Sequence, residues 1–146
     1  AHYDIHRSIK SMKGIALEKY HAMEHKYPSK IEIIEKYSYD SKQLHHLMRV
    51  ENYLMRYIAG ESYEACLIPD EETAEKLRKI KEDNGYLSLE QAKTLADLCI
   101  DSINTQCEAY LKTVPEGHNE EVEALLKEVQ YKIMKLAVTM ELVKGE

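Results

Sequence analysis

A chain of 146 residues is long enough for one domain with its own core. Hydrophobic residues make up 44% and charged residues 32%, the composition of a soluble, helix-rich globule rather than a disordered tail. The formal net charge of -6 argues against general DNA binding, and no apolar run approaches membrane-spanning length.

The first long helix spans residues 3 to 26, where Ile5, Ile9, Met12, Ala16, Tyr20, Met23 and Tyr27 recur at helical spacing. Pro28 follows its end, and Ser29 with Glu32 reads as a capping box opening a short helix from Lys30 to Tyr37. Asp40 caps the next helix, which runs to Ala59 and stops at Gly60. Residues 61–70 form a connection, and Asp70 caps a helix over 71–82 that ends at Asp83-Asn84-Gly85. Ser88 and Gln91 form a second capping box before a helix to Lys112, with Ala92, Leu95, Ala96, Cys99, Ile103, Cys107 and Tyr110 inward. After a Pro/Gly turn, Asn119 caps a last helix with Val122, Leu125, Leu126, Val129, Ile133, Met134 and Ala137 inward. Nothing alternates with period two, so the expectation is a single all-α domain over residues 1–146, a bundle of five to six helices without a sheet.

Charge is unevenly spread. Residues 1–60 carry 10 Lys and Arg against 7 Asp and Glu, a net of +3, whereas residues 61–146 carry 10 against 19, a net of -9. If an anion is bound, the N-terminal part is therefore the place to look. Wound at about 100° per residue, Lys42, His46, Arg49 and Tyr53 fall in one row, opposite Leu44, Leu47, Met48, Leu54, Met55 and Ile58. An ammonium, an imidazole, a guanidinium and a phenol together suit a phosphate-bearing ligand, and Lys42 also lies in the first turn, where the helix dipole favours anions. A solvated face on an amphipathic helix has the same appearance.

Other constellations carry less chemistry. Glu51 falls amid the apolar side, which calls for a cation from a neighbouring helix or for solvent. His2/His6 and His21/His25 have a spacing that can hold a metal, but no third ligand accompanies them, so no metal site is assigned. Cys66, Cys99 and Cys107 have no zinc-type spacing; they read as core thiols of a protein in a reducing cytoplasm. The carboxylates at Glu61/Glu64, Asp70-Glu71-Glu72 and Glu120-Glu121-Val122-Glu123 are the nearest to a metal-binding cluster, and the last two suit helix starts. With no Gly-rich loop either, no catalytic residue is assigned.

Tyr39-Asp40-Ser41-Lys42, then His46 and Arg49, resembles the Tyr-Asp-Thr-Lys…His…Arg helix of a group of bacterial and phage nucleotidyltransferases of the DNA polymerase beta superfamily. The resemblance continues through Gly60, Leu67-Ile68-Pro69, Leu77…Ile80-Lys81 and Gly85-Tyr86-Leu87-Ser88-Leu89-Glu90-Gln91-Ala92. Ser41 and Leu44-His45 depart from the family pattern. The family's catalytic α/β domain comes earlier in the chain, with a Gly-Ser element and an Asp-x-Asp pair for Mg ions; neither occurs here. The resemblance thus implies the helical C-terminal half of such an enzyme, incomplete without its N-terminal nucleotidyltransferase domain. Lys42, His46 and Arg49 would face that domain and hold the phosphates of a nucleoside triphosphate, and Tyr39 and Asp40 would shape the helix start or touch base or sugar. A surface left uncovered by the other domain would support a homodimer. The alternative is a stand-alone helical module that contacts protein or RNA through the same row.

Overall fold

The structure, a computed structural model, describes residues 5–114 and 127–136. They contain six α-helices: α1 (Ile5–Ala22), α2 (Ile31–Tyr37), α3 (Ser41–Ile58), α4 (Tyr63–Leu67), α5 (Glu71–Glu82) and α6 (Leu89–Thr113). Residues 127–136 are also helical, and no strand occurs among the described residues. The all-α bundle read from the sequence is therefore the architecture of the chain.

α3 is the axis of the bundle: α1, α4, α5 and α6 all pack against it. Every one of its 18 residues is buried or half-buried, including those on the polar row. Leu44, Leu47 and Leu54 are fully covered and join Ile9, Met12 and Ala16 of α1 and Ala92, Ala96, Ile103 and Cys107 of α6 in one core. Burial of side chains of this kind contributes about 1.5–3 kcal/mol each, and small Ala positions on α1 and α6 fit the bulk presented by α3.

The helix starts follow the local chemistry of the chain. Asp40 accepts from the Lys42 backbone N–H at 3.1 Å, Asp70 from Thr73 at 2.8 Å, and Ser88 and Gln91 form the reciprocal capping box. Gly60 adopts a left-handed φ of 89° after α3 ends, the conformation a C-terminal glycine supplies without a Cβ penalty.

Five expectations are corrected. α1 ends at Ala22, because Met23 turns into the core and its carbonyl accepts from the Asp40 N–H at 2.8 Å. Tyr27, expected inward, is exposed. No Ser29/Glu32 capping box forms, since Pro28–Lys30 is a 3-10 turn and Lys30 stands at the cap of α2 without a side-chain bond. The 61–70 connection contains the five-residue α4, capped by Ser62. In the last helix Val129 is buried as expected, Met134 is exposed, and Val122, Leu125, Leu126, Ala137 and the Asn119 cap lie outside the described residues.

Candidate anion-binding site

The segment that opens α3 is a knot of internal bonds. Tyr39 and Asp40 are each 1% exposed. The Tyr39 hydroxyl donates to the Leu87 carbonyl at 2.8 Å, and burial pushes its pKa up. Asn84 accepts from the Ser41 N–H at 2.7 Å and donates to the Tyr39 carbonyl at 2.8 Å, so one amide side chain satisfies both sides of the turn. Asp40 caps α3 and receives Lys30 at 3.4 Å. The polar atoms of Tyr39 and Asp40 thus serve packing of α3 against the α5–α6 connection and the end of α1.

Of the row itself, Tyr53 is buried in the core and stacked on Tyr57, with ring centroids 6.2 Å apart. Lys42, His46 and Arg49 are half-buried. Of the six residues singled out from the sequence, Arg49 lines a cleft of about 400 Å³ between α3 and α5. α3 contributes His45 and Arg49, and α5 contributes Ala74, Leu77, Arg78 and Lys81. Leu67, Ile68, Pro69 and Leu136 complete an apolar wall.

Among the described residues the lining of the cleft carries cations and no carboxylate. Arg49 is anchored by donating from Nη2 to the Leu67 carbonyl at 3.0 Å, a neutral partner that leaves its charge in place. Lys81 is only 6% exposed. Arg78 stands at the exposed rim, forked onto Glu75. His45 bonds through Nδ1 to the Leu77 carbonyl at 3.3 Å. Its pKa is driven down to about 3, first by burial and then by the neighbouring His46, Lys81 and Arg49 charges. Burial also lowers the pKa of Arg49. At neutral pH the ring is therefore uncharged, and Arg49, Lys81 and the Glu75-paired Arg78 are the basic side chains of the cleft, an arrangement suited to an anion with an apolar part. A second cavity of about 430 Å³ between α5 and α6 sets Lys76 against Glu90 and has no such imbalance.

His45, Arg78 and Lys81 were not anticipated as site residues. A wheel drawn on α3 alone cannot show what α5 brings to it. The available signal was Leu77 and Lys81 at i, i+4, which share a face of α5 with one apolar and one cationic member.

Other groups have structural partners. Among the described residues Glu51 meets no cation; it accepts from the Ser102 hydroxyl at 3.2 Å, and burial raises its pKa. A carboxylate whose folded pKa lies above its unfolded value is penalised once ionised, so stability is lost as pH rises through the folded pKa. Glu51→Gln is expected to gain of order 0.5 kcal/mol at neutral pH after solvent screening, with the gain vanishing below the ordinary carboxylate range. Urea titrations at both pH values check this, and a loss at neutral pH contradicts it.

His6 Nε2 lies 2.8 Å from the Val114 carbonyl, whereas His21 and His25 make ring contacts with Tyr20 and Tyr27; His2 lies outside the described residues. The three cysteines are free, and burial raises the pKa of each thiol, that of Cys99 to about 12. Glu61 pairs with Arg56 at 3.0 Å, Asp70 caps α5, and 120–123 lie outside the described residues. Among the described residues no group of three or more His, Cys, Asp or Glu is placed to hold a metal ion. Nor is any helix there long and apolar enough to cross a membrane.

No protein-family model, curated protein or solved structure matches this chain.

Proposed function

We propose that this chain is a nucleotide-phosphate-holding helical domain, the C-terminal half of a nucleotidyltransferase of the DNA polymerase beta superfamily. The observation that carries the reading is the cleft lined by Arg49, Lys81 and the Glu75-paired Arg78, with no carboxylate among its described lining residues and apolar residues along one side. Charged oxygens of a nucleoside triphosphate match the cations, and the apolar wall matches a base. Arg49 is the one residue shared by this cleft and the Lys42/His46/Arg49 row of the family-like motif. The catalytic carboxylates and their Mg ions belong, on this reading, to an N-terminal domain that Lys42 and His46 face. Free thiols suit a reducing cytoplasm. The exposed Ile68 beside the cleft suits burial against that domain or, without it, a homodimer.

Titrating the chain with metal-free ATP while following amide resonances tests the reading. Shifts are expected at Arg49, Leu77, Arg78 and Lys81, and Arg49→Ala should weaken binding by about tenfold to a hundredfold, the worth of one charge-assisted hydrogen bond. An absence of shifts at millimolar ATP, or shifts clustered away from the cleft, rejects the assignment.

A further inference from the structure

His45 is 1% exposed, yet it lines the cleft beside Arg49, Arg78 and Lys81. The groups around it are His46 and Arg49 from α3 and Arg78 and Lys81 from α5, with Glu75 engaged by Arg78 at the rim. A carbonyl oxygen only accepts, so the 3.3 Å contact with Leu77 places the ring proton on Nδ1. In the neutral ring Nε2 is then the nitrogen with a lone pair.

We propose that His45 couples proton uptake to anion binding: a dianion in the cleft draws one proton from solvent onto Nε2, and the ring becomes an additional cation facing it. The inference rests on the anion-binding reading and sharpens it, because it makes the cleft selective for doubly charged groups such as terminal phosphates. One proton is taken up and no bond in the ligand changes.

Burial and the surrounding cations keep the ring neutral, with its pKa near 3. Each negative charge about 5 Å away, at an effective dielectric of about 20, favours the protonated ring by roughly two hundredfold. Two such charges, discounted about tenfold for screening, bring the midpoint of the ring to roughly pH 6.5. A monoanion supplies half of this in the exponent and leaves the ring neutral near pH 7.

Sulfate is a suitable probe, since it remains a dianion from mildly acidic to neutral pH. Its binding to the intact chain, followed at the Arg49 and Lys81 amides against sodium chloride of equal ionic strength, should be about tenfold tighter at about pH 5.5 than at about pH 7.5. In the unaltered protein the His45 ring resonances should titrate at roughly pH 6.5 in sulfate and at far lower pH in chloride. His45→Gln should still bind sulfate, with no such pH dependence. Sulfate bound at Arg49 with an unchanged ring titration overturns the proton coupling and leaves the anion cleft standing. A tenfold pH effect that survives in His45→Gln assigns it to His46 and likewise overturns the proposal. Sulfate that fails to bind near Arg49 at either pH removes the anion-binding reading itself. The ring titration needs no variant, so the test does not depend on how well His45→Gln folds.

Discussion

Lowering the pH from about 7 to about 4 is expected to remove roughly 3 kcal/mol of folding stability through His45, and His45→Gln should abolish that part of the loss. The ring has a folded pKa of about 3 against 6.5 for an ordinary histidine. Between those values the unfolded chain binds a proton that the folded chain refuses. Stability from this residue is therefore fully present above about pH 6.5 and falls as the pH drops toward about 3. Burial of the ring is the first cause, and the charges of His46, Lys81 and Arg49 add to it, with no carboxylate among the described residues that line the cleft. Carboxylates held below their usual range, Glu61 and Asp70 among them, also lose stability in acid, but equally in both proteins. Urea midpoints of the wild type and His45→Gln at about pH 7, 5 and 4 isolate the difference; parallel curves would sink the prediction.

Tyr39→Ala should destabilise the fold by about 4 kcal/mol, a fall in Tm of roughly 12–16 °C for a chain of this size. Tyr39 is 1% exposed and belongs to the core cluster, and the large-to-small change leaves a cavity at the start of α3. Tyr39→Phe keeps the ring and removes only the 2.8 Å bond to Leu87, leaving that carbonyl without its donor, at a cost of about 1 kcal/mol. The pair also separates packing from ligand contact. Tyr39→Phe should leave ATP affinity within about twofold of the wild type, because the hydroxyl is turned to the backbone of the α5–α6 connection. A tenfold loss of affinity in a stable Tyr39→Phe protein would show that the Tyr39 hydroxyl takes part in binding. The same position gives one physical reason for a tyrosine in a chain that has 11 Tyr and no Phe: the site is apolar around the ring and polar at its tip.

Features decided within one turn of the chain were readable from its sequence. Asp40, Asp70 and the Ser88/Gln91 box cap their helices, and Gly60 ends α3 in the left-handed region. The Ser29/Glu32 pattern has the same letters as Ser88/Gln91 in kind, yet Pro28 one residue earlier draws Ser29 into a 3-10 turn. α4 is too short for periodicity to register, since five residues make little more than one turn. The polar row failed to describe the cleft for a different reason. A helical wheel assumes one buried face, but α3 is surrounded, so Tyr53 on the polar row is core while His45, beside it, lines the cavity. Lys81 and Arg78 join Arg49 only through the packing of α5 on α3, a long-range fact that no local spacing on α3 contains.

The bonds gathered on residues 39–41 have a consequence for how the molecule opens. Asp40 N–H reaches Met23, Ser41 N–H reaches Asn84, and the Tyr39 hydroxyl reaches Leu87, so three consecutive residues fasten the end of α1 and the α5–α6 connection to one helix start. Releasing the end of α1 breaks the Asp40–Met23 bond, and releasing the connection breaks the Asn84 and Leu87 bonds, so each segment is held to the same three residues. The first turn of α3 is therefore a shared latch, and the Asp40 and Ser41 amides are expected to exchange with solvent among the slowest of the chain, which hydrogen exchange followed by NMR checks.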